Sequence, residues 1–356
     1  MFTPHRRGFI QGIAATLLAS GCGVRESRAL GFPAAWKRVA DPINANTGKH
    51  LSRYQVVPDA TVIREGSGFR LYFTANDSEA RVGFAEAYSS DGLNWTTYKK
   101  AVSPDPIADL VLAPAPNWGV AALETAHAVI APNGQRRLYY TEDLLPNGQT
   151  YAIGLATSSD GVTWKRCGAG PIFKALRPWE QPVNGIGGVL EPSVIYDPEA
   201  RLYKMWYVGC GKRNGVHSYC VGYATSPNGV NSWTRYDNPV FERGRAGAWD
   251  ELWASHVNVV ADPAGGYHMF YHGTKASEYV EGVPIQRGCI GHAYSLDGIH
   301  WYRNPKNPIL RPRAGMFDAW AVTGPTAIFV NGKLRVYYSG FATRNLASNI
   351  GVVEAA

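Results

Sequence analysis

The chain has 356 residues, 45% of them hydrophobic, which is ample for a core. Its 39 Gly and 23 Pro are at the level a turn-rich all-β chain requires. The formal net charge is +7, but the basic residues are scattered. No run of Lys or Arg offers a nucleic-acid track, so no nucleic-acid partner is expected.

Residues 1–30 read as an export segment and not as part of the fold. His5-Arg6-Arg7-Gly8-Phe9-Ile10-Gln11 has the form of a twin-arginine motif. The apolar stretch Ile13–Ala19 that follows is too short for a stable transmembrane helix. Small residues then lead to Cys22. Ala19-Ser20-Gly21-Cys22 is an imperfect lipoprotein box, with Ala19 where Leu is usual, so either lipidation of Cys22 or an ordinary signal-peptidase cut nearby fits. The mature chain is expected to be periplasmic, secreted or lipid-anchored, and monomeric.

From residue 31 onward, internal repetition dominates. Four turns share one pattern: Ser89-Ser90-Asp91-Gly92-Leu93-Asn94-Trp95, Ser158-Ser159-Asp160-Gly161-Val162-Thr163-Trp164, Ser226-Pro227-Asn228-Gly229-Val230-Asn231-Ser232-Trp233 and Ser295-Leu296-Asp297-Gly298-Ile299-His300-Trp301. Asp-Gly or Asn-Gly supplies the positive φ of a tight hairpin. A short aromatic strand recurs five times, at Leu71-Tyr72-Phe73, Leu138-Tyr139-Tyr140, Met205-Trp206-Tyr207, Met269-Phe270-Tyr271 and Val336-Tyr337-Tyr338. An inner strand precedes each copy: Thr61-Val62-Ile63, Ala128-Val129-Ile130, Ser193-Val194-Ile195, Asn258-Val259-Val260 and Thr326-Ala327-Ile328. A third strand follows, as in Val82-Gly83-Phe84-Ala85 and Ile350-Gly351-Val352-Val353.

Four short strands per unit describe a propeller blade, and there are five units. The fifth has no Trp strand after it. Ala35-Trp36-Lys37-Arg38 resembles Thr163-Trp164-Lys165-Arg166, and Asp41-Pro42-Ile43 mirrors Asn307-Pro308-Ile309. The expected fold is therefore an all-β five-bladed β-propeller over 31–356, its ring closed by an N-terminal strand that completes the last blade.

Cys210 and Cys220 flank a hairpin-like loop and read either as a disulfide across two strands or as two small buried residues. No C-x-x-C pair or His cluster suggests zinc.

A ring of five such blades with S-x-D-G-x-x-W turns resembles the five-bladed glycoside hydrolase superfamily of families 43 and 32, over roughly the whole mature chain. The resemblance implies an acidic residue just before the inner strand in each of the first three blades. Asp59, in Pro58-Asp59-Ala60-Thr61, and Glu191, in Leu190-Glu191-Pro192-Ser193, share that repeat position. His256 and Gly324 hold it in the fourth and fifth blades. In the second, the equivalent is read as Ala126, with Glu124 two residues before and His127 one after.

Glycoside cleavage needs two carboxyls across a cleft. Glu191 is expected as general acid and Asp59 as base or nucleophile, with Glu124 as the third carboxylate. Glu124 or His127 would tune the acid or hold the sugar. His256 is either a sugar-facing residue or a polar residue packed on Trp253, and His272 is a further candidate. Arg344 reads as a uronate clamp or a solvated loop residue. Trp118, Trp179, Trp253 and Trp320 precede inner strands, where they would line the funnel or pack between blades. Trp179-Glu180, Trp249-Asp250 and Phe317-Asp318 are expected to tie down interblade loops. No cofactor is required; relatives hold a structural Ca²⁺ that His256 would reach. The alternatives to hydrolysis are a non-catalytic carbohydrate-binding or polysaccharide-assembly propeller, and phosphorolysis or lyase chemistry in the same funnel.

Overall fold

A computed structural model describes residues 31–43, 58–77, 79–97, 110–213, 215–280, 286–344 and 348–356. The twin-arginine motif and Cys22 lie outside the described residues. Among the described residues there are twenty β-strands and only three-residue 3₁₀ turns in place of helices. Among these residues no helix is long and apolar enough to cross a membrane.

The strands fall into groups of four. The first is β2 (Thr61–Glu65), β3 (Gly68–Asn76), β4 (Val82–Ser89) and β5 (Thr96–Thr97). The second is β6 (Val120–Ile130), β7 (Arg136–Leu144), β8 (Thr150–Ser158) and β9 (Lys165–Arg166). The third is β10 (Gly187–Asp197), β11 (Leu202–Arg213), β12 (Val216–Ser226) and β13 (Thr234–Arg235). The fourth is β14 (Trp253–Ala261), β15 (Tyr267–Thr274), β16 (Cys289–Ser295) and β17 (Tyr302–Arg303). The last is β18 (Ala321–Val330), β19 (Lys333–Phe341) and β20 (Ser348–Ala355), joined by β1 (Trp36–Ala40) from the other end of the chain. Each group is an antiparallel meander; a two-residue parallel bridge, Gly187 with Thr150 and Gly188 with Tyr151, links the second group to the third.

β1 fills the place that β5, β9, β13 and β17 fill in the other groups. It pairs antiparallel with β20, Trp36 opposite Ala355. Ile43 N–H bonds the Ile350 carbonyl at 2.9 Å, as Ile172 bonds Ile153 and Ile309 bonds Ile290. Side chains repeat the equivalence. The Tyr271 hydroxyl and Arg303 of β17 both bond Asp250, at 3.0 and 3.2 Å. Tyr338 and Arg38 of β1 do the same for Asp318, at 2.9 and 3.4 Å. Tyr207 bonds Glu180 at 2.6 Å, and Arg235 pairs with it. The acids after Trp179, Trp249 and Phe317 thus anchor loops to strands.

The turns hold themselves together locally and the groups to one another. Ser89 Oγ accepts the Gly92 N–H at 2.8 Å, and Asp91 Oδ1 accepts those of Leu93 and Asn94 at 2.7 and 2.8 Å. The glycine carbonyl then receives an aromatic donor from the preceding group. Tyr72 reaches Gly161 at 2.9 Å, Tyr139 reaches Gly229 at 2.8 Å and Trp206 reaches Gly298 at 2.7 Å. Tyr337 of the last group reaches Gly92 of the first at 2.9 Å. These aromatics are fully buried, so each hydroxyl or indole N–H needs such a partner.

The disulfide alternative is corrected. Gly209, not Cys210, stands opposite Cys220, and Cys210 faces Tyr219. A one-residue offset across paired strands sends the two thiols to opposite faces of the sheet. Both are free; Cys210 Sγ lies 3.2 Å from His217 Nε2.

Candidate active site

The inner strands β2, β6, β10, β14 and β18 carry a second series of contacts. Thr61 Oγ1 accepts the Ala128 N–H at 3.1 Å, and His127 Nδ1 accepts that of Val194 at 3.1 Å. Ser193 Oγ accepts that of Val259 at 2.8 Å, and Asn258 Oδ1 that of Ala327 at 2.9 Å. Thr61, His127, Ser193 and Asn258 are thus one repeat position. They face Tyr72, Tyr139, Trp206 and Phe270 across the meander.

This register moves the second repeat by one residue. Two positions before the stitching residue stand Asp59, Thr125, Glu191, His256 and Gly324, and all five have positive φ, at 56°, 47°, 53°, 46° and 53°. In β6, β10, β14 and β18 the residue lies inside a bulge that breaks the pairing register. A bulge bends the strand and aims its extra residue out of the ladder, here toward the centre. Left-handed backbone at a non-glycine residue costs roughly 1–3 kcal/mol and gathers at functional sites. The residue equivalent to Asp59 and Glu191 is therefore Thr125, not Ala126. Aligning apolar triplets misplaces it; aligning the polar stitching residues finds it.

The five residues surround a narrow cavity of about 30 Å³, and most of them also line a wider one of about 500 Å³ above it. The wider cavity holds Asp59, Glu124, Glu191, Trp253, His256 and His272 together with Tyr151 and Tyr219. His256 stands between the two leading carboxylates. Its Nε2 is 3.5 Å from Asp59 Oδ1 and its Nδ1 3.2 Å from Glu191 Oε1. Its backbone N–H also bonds Glu191 Oε2. The Glu191 N–H donates to Thr141 Oγ1 at 2.8 Å, and Thr141 Oγ1 also meets Thr125 Oγ1 at 2.5 Å. The Asp59 N–H donates to Ser339 Oγ at 3.0 Å. Gly324 leaves room for Asp59: a Cβ there would stand 2.8 Å from Asp59 Oδ1.

Burial pushes Asp59 and Glu191 above the usual carboxylate range, and the His256 charge opposes the shift. Burial alone would lower His256, but Glu191, Asp59 and Glu124 together raise it. Glu124 is pushed up to about 7 by burial, then by the charges of Asp59 and Glu191. Asp143, on β7 behind Glu124, is pushed up to about 8 by burial and by Glu124. His272 packs edge-on to His256, ring centroids 5.7 Å apart, and burial holds it neutral with a pKa of about 3. Trp253 lies edge-on to Tyr219 and to Tyr279 at 5.6 and 6.0 Å.

Arg344 takes another place, and His127, which lines the narrow cavity, is also tied to the backbone. His127 is a stitch between inner strands; accepting at Nδ1 requires the neutral ring, and burial holds its pKa at about 4. Arg344 is exposed beyond β19 and is not among the described lining residues. Trp179 is buried flat against Tyr207, while Trp118 is exposed. Thr125, Thr141, Ser339, Asp143, Tyr151 and Tyr219 were not singled out from the sequence. Both ring nitrogens of His256 face carboxylates, and among the described residues no group of three or more His, Cys, Asp or Glu is arranged to hold a metal ion.

No family model matches the chain, and no curated protein matches it. Solved structures do. A thermostable family-43 glycoside hydrolase is 18% identical, covering 83% of this chain and 88% of that one, with a TM-score of 0.62. A glycosyl hydrolase from Bacteroides ovatus is 16% identical over 92% and 94%, with a TM-score of 0.63. An N-acetylgalactosamine deacetylase from F. plautii, in complex with blood group B trisaccharide, is 15% identical over 90% and 95%, with a TM-score of 0.62. The chain shares its fold with these proteins.

Proposed function

We propose that this protein is a glycoside hydrolase whose five four-stranded groups form a closed five-bladed propeller, with Glu191 as general acid and Asp59 as base or nucleophile. One observation carries the reading: the imidazole of His256 bridges the half-buried carboxyl of Asp59 and the buried one of Glu191, from the first and third repeats, inside one cavity. A glycosidase needs a carboxyl that is protonated near neutral pH facing one that accepts a proton or attacks carbon. Burial raises Glu191, which suits the acid.

In the water-activating form, Glu191 gives its proton to the glycosidic oxygen as the bond to the anomeric carbon breaks. Asp59 takes a proton from the attacking water, whose oxygen joins that carbon. Exchange with solvent water then takes the proton from Asp59 and returns one to Glu191, which restores the starting state, while His256 holds the two carboxyls in place. The reaction asks for no cofactor. Trp253, Tyr219 and Tyr151 offer aromatic faces and hydroxyls to a sugar. The export segment belongs to the same proposal: a monomer sent out by the twin-arginine route meets polysaccharide in the periplasm or beyond, free or anchored at Cys22.

A second reading, a non-catalytic carbohydrate-binding propeller, is favoured by Thr125 at the second-repeat position and by the engagement of both Glu191 oxygens with His256. Release of reducing sugar from a polysaccharide panel, by wild type beside Glu191→Gln and Asp59→Asn, separates the two. Hydrolysis predicts turnover that falls roughly 10²–10⁴-fold in each variant with folding intact. Binding of a glycan without turnover establishes the second reading.

A further inference from the structure

The second strand of each group holds the centre from behind. Thr74, Thr141, Val208, His272 and Ser339 occupy one repeat position, two residues after Tyr72, Tyr139, Trp206, Phe270 and Tyr337, the aromatics paired with the inner strands. Thr141 stands opposite Glu124 in its own group, yet its Oγ1 accepts the N–H of Glu191 in the next, at 2.8 Å. Ser339 stands opposite Thr323, and its Oγ accepts the N–H of Asp59 in the first group, at 3.0 Å. A hydroxyl at this position thus fixes the backbone of each carboxylic acid at the centre. Thr74 precedes Thr125, which is not an acid, and its Oγ1 has no hydrogen-bond partner.

Val208 breaks the pattern. It is fully buried, stands opposite Leu190, and packs in one apolar cluster with Ala254 and Val257, which flank Ser255-His256. The centre residue that follows it is His256, and Val208 has no oxygen to offer the His256 N–H. That N–H donates instead to Glu191 Oε2. The Nδ1 of the same residue lies 3.2 Å from Glu191 Oε1. One residue therefore engages both Glu191 oxygens, and it does so with a donor that a hydroxyl takes up elsewhere in the repeat.

We infer that Val208 is a positioning residue: by withholding an acceptor from the His256 N–H, it leaves that donor to Glu191 and locks the Glu191 carboxyl against His256. The catalytic consequence rests on the hydrolase reading; the geometry does not. An oxygen on this side chain would compete for the N–H and release Oε2. Glu191 would lose a bond that favours its ionised form and keep its proton to higher pH. The alkaline limb of turnover, which a general acid sets, would move up with it.

The test is NMR on the whole protein, isotope-labelled at histidine nitrogen and glutamate carboxyl carbon and titrated with pH. His256→Gln and Glu191→Gln assign the signals. In wild type the His256 amide proton should lie downfield and follow the titration of Glu191. In Val208→Thr and Val208→Ser it should stop following, and the Glu191 midpoint should rise by about one pH unit, the scale of a hydrogen bond to a charged group; two oxygen-bearing variants guard against one that fails to fold. Val208→Ala removes packing and adds no oxygen, so it should lower the urea midpoint and leave both signals as in wild type. On a hydrolysed glycan, the alkaline limb of kcat should rise in step with the Glu191 midpoint, with KM held within about twofold. An amide that does not follow Glu191 in wild type, unchanged signals in both oxygen-bearing variants, or the same change in Val208→Ala would overturn the inference. Shifted signals without turnover of any glycan support the inference and sink hydrolysis; turnover with unmoved signals does the reverse.

Discussion

Replacing Asp143 by Asn should make the protein more resistant to unfolding at alkaline pH. Asp143 rises from an ordinary 3.8 to about 8 in the folded chain, through burial first and Glu124 second. The folded state therefore keeps a proton that the unfolded state gives up. Stability from this group is complete below pH 3.8 and is lost as pH climbs through about 8. Each pH unit inside that window costs at most 1.36 kcal/mol, which sets a ceiling of about 4 kcal/mol between pH 5 and pH 8. Water reaching the less buried Oδ2, and sharing of the penalty with Glu124, reduce the expected loss to about 2 kcal/mol. Asn keeps the shape and removes the charge. Urea unfolding at pH 5, 6, 7 and 8 measures the effect. The difference between Asp143→Asn and wild type should move by about 2 kcal/mol in favour of the variant across that range. Parallel curves would show that Asp143 is ionised and matched in the folded chain, and would refute the account of its shift by burial and Glu124.

Gly324→Ala should cost about 1–2 kcal/mol, because its φ of 53° is left-handed and its Cβ would meet Asp59 Oδ1 at 2.8 Å; turnover should fall further than stability, as seen by comparing initial rates with urea midpoints. Arg38→Met removes a partner of buried Asp318 while Arg313 remains, so about 1–3 kcal/mol should be lost; an unchanged urea midpoint would mean that β1 does not hold the last sheet. His292 is buried beside Phe270 and Trp36, and burial holds it well below its ordinary value of 6.5. The unfolded chain alone takes up its proton, so stability from this group is complete above pH 6.5 and falls below it; His292→Asn should flatten the wild-type loss between pH 6.5 and 4.5 by about 2 kcal/mol, read from urea midpoints. Cys210 and Cys220 should both be alkylated in urea without reductant, a mass measurement that a disulfide would block.

The parts of the fold that were legible in the sequence are those written in neighbouring residues. Ser89, Asp91 and Gly92 close their own turn, so the pattern that marks it is also the set of atoms that bond. Alternation in Leu71-Tyr72-Phe73 and its copies marks a strand because side chains on a strand change face at every step. Counting such units predicted the four-stranded groups. The odd Trp36-Lys37-Arg38 predicted a strand beside Val352 and Val353, where β1 lies.

The active-site candidates were legible to the same depth and no further. Asp59, Glu191 and His256 share a repeat position that spacing reveals, and they meet at one imidazole. Thr125 was misplaced by one residue because bulges in the inner strands insert a residue without a local signature, and apolar triplets cannot count it. His127 reads as a site residue by its chemistry, yet its partner is the backbone of Val194, 67 positions away. Cys210 and Cys220 illustrate the same limit, since a one-residue register offset separates two thiols that spacing alone would join.

The sequence by itself determined the repeats, the turns, the strand count per unit and the positions from which acids could reach a centre. Only the tertiary structure decided which residues fill that centre and which carboxylates receive an arginine. Turns and strands are settled by hydrogen bonds and side-chain alternation within a few residues, so a short window carries them. Charge balance in a buried site depends on burial and on groups brought from distant repeats, and no short window contains both.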